Sequence, residues 1–84
     1  MKNVSVSFQN RKTTVVANFD VYARSEMTND LRNELVRSNG ITNIASLYSD
    51  DWEDEDSPAR IEKEAARLAG MENQQVFLVR KSLK

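Results

Sequence analysis

The chain has 84 residues, with 12 Lys and Arg against 13 Asp and Glu, and it contains neither cysteine nor histidine. The lack of cysteine excludes disulfides, thiolate metal sites and cysteine nucleophiles, and the lack of histidine removes the usual general base and the commonest metal ligand. No apolar run approaches the roughly 20 residues of a membrane span, and the N-terminus has no signal-peptide pattern. We therefore expect one soluble, cytoplasmic domain over residues 1–84 that uses no cofactor.

The first segment predicts an antiparallel β-hairpin. Val4, Val6 and Phe8 alternate with polar residues, and residues 13–22 alternate in the same way. A period of two is typical of half-buried strands. The polar residues 9–12 between the two runs predict the turn, with Asn10 in the left-handed conformation.

Helix signals follow the hairpin. Ser25 or Thr28 is suited to cap a helix, because a side-chain oxygen there accepts a hydrogen bond from a free backbone N–H. Apolar positions then recur every four residues, at Met27, Leu31 and Leu35. Gly40 suits the left-handed position that ends a helix, and Ile41 is expected to supply the apolar contact that accompanies such an end.

The second half of the chain predicts a short strand over residues 43–48, a second helix and a last strand. Ser57 and Pro58 form a typical helix start, and Gly70 a typical helix end. The predicted buried stripe of this helix is Ile61, Ala65, Leu68 and Ala69. The continuous apolar run 76–79 indicates an interior strand that is covered on both faces.

The predicted order of elements is β-β-α-(β)-α-β, which places the chain in the α+β class. An N-terminal hairpin with one or two further strands, covered by two helices on one face, is the natural two-layer sandwich for that order.

The acidic segment, residues 50–56, is the compositional outlier of the chain. Net charge is +2 over residues 1–48, −6 over residues 49–72 and +3 over residues 73–84, which sums to the overall −1. We predict that a partner binds this segment through Asp50, Asp51, Trp52, Glu53, Asp54, Glu55 and Asp56. Tryptophan is enriched among binding hot spots, and carboxylates attract a basic surface. Two other interpretations stay open: a solvated loop that complements the second helix dipole, and a Trp52 that packs into the protein's own core.

The same carboxylates do not follow a metal-binding pattern, and the chain carries no catalytic motif. An EF-hand loop that begins at Asp50 would need glycine at its sixth position, where Glu55 stands, and glutamate at its twelfth, where Ile61 stands. The two glycines form no phosphate loop, and no Ser-x-x-Lys motif offers a serine nucleophile a lysine base. We therefore predict neither a metal site nor an enzyme.

Two alternative functions rest on other residues. The basic side chains of Arg11, Lys12, Arg80 and Lys81 fall at predicted strand ends, where they would neutralise nucleic-acid phosphates. The sequence pI near 5.4 opposes direct nucleic-acid binding. A further alternative is a self-associating domain or homodimer, in which Val16, Tyr22 and the third strand leave part of the sheet uncovered.

The profile of a short chain without cysteine or histidine and with one acidic patch is similar to that of small phage- or plasmid-encoded accessory proteins, including inhibitors of host defence. This resemblance rests on no motif and assigns no residue a role. It implies a small binding or inhibitor protein. The expected partner is a protein with a basic surface, such as a nucleic-acid-binding protein.

Overall fold

Four antiparallel strands and two helices form the described part of the fold in the computed structural model, which covers residues 1–48, 50, 52 and 60–81. In chain order they are β1 (Lys2–Asn10), β2 (Thr13–Ala23), α1 (Asn29–Asn39), β3 (Ile44–Leu47), α2 (Arg60–Leu68) and β4 (Val76–Lys81). Short 3-10 turns at Arg24–Glu26 and Ile41–Asn43 flank α1. The α+β class and the order of elements are confirmed, including the short third strand.

The sheet has the strand order β1-β2-β4-β3, and each neighbouring pair is antiparallel. The last strand of the chain therefore lies between β2 and β3. This confirms the interior position that its continuous apolar run predicted. The outer positions belong to β1 and β3.

The two helices pack on opposite faces of the sheet, so the predicted placement of both helices on one face is wrong. The α2 face carries the larger core cluster: Val6, Ala17, Phe19, Val21, Leu47, Ala65, Ala66, Ala69, Val76 and Leu78. The α1 face carries a smaller cluster of Tyr22, Leu35 and Val79, with Met27, Leu31, Ile44 and Phe77 packed against it. Apolar side chains of β4 point alternately to the two faces, and each set needs its own cover.

The ends of α1 follow the sequence signals. Thr28 caps the helix, and its Oγ1 accepts a hydrogen bond from the Leu31 backbone N–H at 3.1 Å. Gly40 ends it with φ = 84°, and its N–H donates to the Val36 carbonyl oxygen at 2.9 Å. Ile41 is 66% exposed. The predicted apolar contact at this position is therefore wrong, because the chain turns into a 3-10 turn that directs Ile41 to solvent.

The buried residues of α2 are Lys63, Ala65 and Ala66, and Ala69 is buried directly after the helix, whereas Leu68 is 55% exposed. The predicted stripe is therefore correct at Ala65 and Ala69 and at Ile61, which is partly buried against the core cluster, and it is wrong at Leu68, since the helix is rotated toward Ala66. After the helix, Gly70 has φ = 74°, its N–H donates to the Arg67 carbonyl oxygen at 3.0 Å, and the next N–H donates to the Ala66 carbonyl oxygen at 2.9 Å. This is the Schellman end that Gly70 predicted. The predicted start at Ser57 and Pro58 lies outside the described residues.

The turn of the hairpin is tighter than predicted. Asn10 and Thr13 are paired strand residues, so only Arg11 and Lys12 connect β1 to β2. Arg11 has φ = 60° and takes the left-handed conformation that the sequence had assigned to Asn10. The prediction at Asn10 is wrong because the strand pairing extends through this residue.

Candidate partner-binding site at the end of the sheet

The acidic segment begins where three strands meet at one end of the sheet. Ala23 at the end of β2 and Leu47 at the end of β3 both pair with Val76, the first residue of β4. The chain continues from β3 toward Trp52, and the loop that precedes β4 lies beside it. The sheet therefore provides a rigid base for the start of the segment.

Trp52 attaches the segment to this base. Its ring packs against the core cluster of the α2 face, and its Nε1–H donates to the Gln74 carbonyl oxygen at 3.3 Å. The side chain is half-buried. The interpretation that Trp52 packs into the protein's own core thus matches its ring contacts, while part of the side chain stays accessible.

An open depression lies beside this attachment point. It is lined by Ala23, Arg24, Ser25, Tyr48, Asn73, Gln74 and Gln75. Asn73 has φ = 61°, a left-handed conformation that asparagine tolerates better than most residues. Gln74 both lines the depression and accepts the Trp52 hydrogen bond, so the acidic segment starts at its rim.

The structure describes only part of the acidic segment. Asp50 is exposed. The other predicted carboxylates lie outside the described residues: Asp51, Glu53, Asp54, Glu55 and Asp56. Beyond the segment, Arg67 of α2 forms ion pairs with two glutamates. Its Nη1 lies 2.8 Å from Glu64 Oε2, and its Nε lies 3.6 Å from Glu72 Oε1.

The four basic residues of the alternative site do not form one cluster. Arg11 and Lys12 are exposed at the hairpin tip, whereas Arg80 and Lys81 pair with Phe19 and Asn18 farther along β2. Adjacent strand residues point to opposite faces, which separates Arg80 from Lys81. Lys81 Nζ lies 3.4 Å from Asp20 Oδ2 on the α1 face, so its charge is already partly neutralised.

Asp20 is a buried polar residue of β2 that lies on the face opposite Phe19 and Val21. It is 7% exposed, and its Oδ1 accepts a hydrogen bond from Asn3 Nδ2 at 2.9 Å. Lys81 in turn donates to Asn39 Oδ1 at 3.3 Å, at the last residue of α1. These contacts join β1, β2, β4 and α1. The signal in the sequence was a carboxylate within a strand, because a carboxylate that becomes buried needs a cation or hydrogen-bond donors beside it.

The predicted surface for self-association is only partly accessible. Val16 is 37% exposed, but Tyr22 is 8% exposed because it packs in the core cluster under α1. The prediction of Tyr22 as an exposed contact residue is therefore wrong. In the described part of the chain α1 packs against β3 and β4, and the residues that β1 contributes to the same face are polar: Asn3, Ser5, Ser7 and Gln9.

Among the described residues, two groups have shifted pKa values. Burial raises the pKa of the Tyr22 hydroxyl above its ordinary value, and the carboxylates of Asp20 and Glu26 add to the rise. The hydrogen bond from the N-terminal ammonium lowers the pKa of Glu26, and the Ala23 backbone N–H, at 2.9 Å from Oε1, lowers it further. Both shifts follow from structural contacts around the end of β2.

The described residues contain no group of three or more carboxylates placed to hold a metal ion. In the same part of the chain, no helix has the length and apolar character that crossing a bilayer requires. Comparisons of the sequence with protein-family models and curated proteins, and of the fold with solved structures, find no match. The functional interpretation therefore rests on the residues of this chain.

Proposed function

We propose that this protein is a small, non-enzymatic binding protein that engages a basic surface of a partner protein through the acidic segment. The single observation that supports this best is the attachment of Trp52. The ring contacts the core cluster and the indole N–H bonds to Gln74, so the most acidic stretch of the chain starts from a fixed point. A contact segment that is held at one end loses less conformational entropy on binding than a free one.

The charge of the segment suggests the chemistry of the partner. Six carboxylates lie within residues 50–56, and residues 49–72 sum to −6. Such a concentration attracts a positively charged surface over a long range and discriminates against acidic ones. We infer that the partner surface is rich in Lys and Arg, as in the groove of a nucleic-acid-binding protein. Occupation of that groove would make this protein an inhibitor, and we place its action in the cytoplasm.

The test compares two variants that change the net charge equally. The first replaces Asp50, Asp51, Asp54 and Asp56 with Asn. The second is a matched control that replaces four other carboxylates by their amides: Asp30, Glu34, Glu64 and Glu72. We expect wild type and control to capture the same partner from a nuclease-treated lysate of the source organism, and the first variant to lose it, with unchanged circular dichroism spectra.

The single tryptophan gives a second readout of the same proposal. Because Trp52 lies inside the segment, its fluorescence should shift when the captured partner is added, and salt should reverse the shift by screening the charges. Capture that survives the four Asn substitutions in a folded variant would contradict the acidic segment as the contact. Capture that disappears after nuclease treatment would show that nucleic acid bridges the two proteins.

The exposed hairpin tip supports a second candidate, a domain that binds nucleic acid directly. Arg11 and Lys12 are exposed at this tip. The candidate predicts a mobility shift with DNA or RNA at low salt that weakens when Arg11 and Lys12 become Ala. The matched control replaces Arg32 and Arg37 of α1, which are also exposed, with Ala. No shift at low salt, or equal weakening by both variants, would exclude the hairpin tip as a specific contact.

A further inference from the structure

The outer edge of β1 is a long run of backbone without a partner strand in the described part of the chain. β1 has nine residues and is the first strand in the sheet order, and each of its residues pairs with β2 on the inner side. Among the described residues, no strand pairs with its outer side. An edge of this kind is a template for another strand.

The sequence of β1 also lacks the features by which edge strands usually discourage pairing. Those features are a short strand, a proline, a bulge or charges within the strand. The pairing of β1 with β2 runs without a bulge from Lys2 to Asn10, and the strand has no proline. Its only charged residue is Lys2, at its end. By contrast β3, the other edge strand, has four residues.

The hairpin turn determines which backbone groups point outward. In a two-residue turn the flanking residues, here Asn10 and Thr13, form a hydrogen-bonded pair. Every second residue from Asn10 therefore bonds to β2. The residues between them present their N–H and C=O to the outside: Asn3, Ser5, Ser7 and Gln9.

We propose that two copies of this protein form a homodimer by antiparallel pairing of their β1 outer edges, with the two-fold axis at Val6. In this register Ser5 of one copy lies opposite Ser7 of the other, and these are residues whose backbone groups point outward. Val4 then lies opposite Phe8 of the second copy. About eight hydrogen bonds form between the two strands, and the two sheets become one continuous sheet.

The alternation of apolar and polar residues along β1 favours a second copy of this chain as the strand that pairs with its edge. Its apolar residues, Val4, Val6 and Phe8, are symmetric about Val6 and all lie on the α2 face. The residues between them are polar and are symmetric about the same point. The two-fold register therefore places apolar against apolar and polar against polar, and no like charges oppose each other.

The experiment measures the molecular mass in solution by sedimentation for wild type and for two charged variants. The variant S5K/S7K places two lysines against two lysines across the proposed interface, and S5E/S7E places four glutamates there. We expect wild type to reach twice the monomer mass of 9.6 kDa at millimolar concentration. Each variant alone should remain at the monomer mass, because like charges directly opposite are unfavourable.

Mixing the two variants tests the register. Lysines then lie opposite glutamates, so the mixture should regain the dimer mass, which also shows that both variants fold. S38K/T42K is the matched control, since it adds the same charge at exposed positions on and after α1 and should dimerise as wild type does. The variant with Asn at positions 50, 51, 54 and 56 should also dimerise. The dimer and the partner contact are therefore tested independently of each other.

A wild type that stays at 9.6 kDa up to millimolar concentration would overturn the proposal. A dimer that persists in S5K/S7K would show that another surface forms it. If the lysine variant does not fold, Ser7→Pro takes its place, because the Ser7 N–H points outward and its loss removes no bond to β2. A folded Ser7→Pro variant that still dimerises as wild type does would equally overturn the proposal.

Discussion

Tyr22 links the stability of the fold to alkaline pH. Its hydroxyl belongs to a side chain that is 8% exposed, and burial raises its pKa above the ordinary value near 10, with Asp20 and Glu26 adding to the rise. The folded state thus holds the proton more tightly than the unfolded state does. Tyr22 therefore contributes fully to the free energy of unfolding below about pH 10, and this contribution is lost as pH rises through the folded-state pKa.

We expect the free energy of unfolding of the variant Tyr22→Phe to fall less at alkaline pH than that of wild type. The measurement is urea unfolding of wild type and variant at pH values below and above about 10. Tyr48→Phe is the control for the loss of a tyrosine hydroxyl, since Tyr48 is 55% exposed. An equal decline in wild type and Tyr22→Phe would show that other groups cause it.

Within β2, burial was predictable for the apolar residues of the α2 face but not for the residues between them. Strict alternation put Phe19 and Val21 inside, and both are buried. Asp20 and Tyr22 belong to the opposite set of this alternation, yet both are buried: Tyr22 packs in the cluster under α1, and Asp20 contacts Asn3 and Lys81. Alternation shows that two sets of side chains lie on opposite faces, but not which faces another element covers.

The hairpin is an element whose turn carries measurable strain. Arg11 adopts φ = 60°, a conformation that costs an L-residue roughly 1–2 kcal/mol and costs glycine almost nothing. We expect Arg11→Gly to raise the free energy of unfolding by about 0.5–1 kcal/mol, after the entropy that glycine gains in the unfolded chain is subtracted.

Lys12→Gly is the matched control for this prediction. It removes the same charge from the same turn, but Lys12 has no positive φ to relieve. Glycine there should lower the free energy of unfolding by some tenths of a kcal/mol, because it only makes the unfolded chain more flexible. Urea denaturation measures both variants. A loss of stability in Arg11→Gly equal to that in Lys12→Gly would show that the left-handed residue is unstrained.

Helix ends were predictable at the element scale, whereas the rotation of α2 was not. Gly40 and Gly70 end their helices with positive φ because few other residues tolerate that conformation. The buried face of α2 is instead set by its fit against the sheet. It uses Ala66 and leaves Leu68 outside, so hydrophobicity alone ranks the two positions wrongly.

At the scale of the whole molecule, the last strand contained the signal that the two-layer prediction overlooked. A run of strand residues that is apolar at every position, as residues 76–79 are, needs cover on both faces. In β4, Val76 and Leu78 lie under α2, and Phe77 and Val79 lie under α1. Helices on opposite faces follow from this run. The acidic segment has no comparable periodicity, so the sequence shows its charge but not its conformation.

The unequal sizes of the two clusters predict that the α1 layer opens before the rest of the molecule. The α1 face buries three residues, of which Leu35 is the only one on the helix, whereas the α2 face buries ten. Elements with few buried apolar contacts open at a lower free energy than the global transition. Native-state hydrogen exchange should therefore give the amides of α1 a lower opening free energy than those of β2 and β4.

Leu35→Ala should lower the opening free energy of α1 by about 2–3 kcal/mol, because it removes the main contact of the helix with Tyr22 and Val79. The amides of β2 and β4 should change less if α1 already opens independently. Leu68→Ala is the control, since this side chain is 55% exposed and its truncation should change stability by less than about 0.5 kcal/mol. Equal opening free energies for α1 and β4 in wild type would show that the two layers unfold as one cooperative unit.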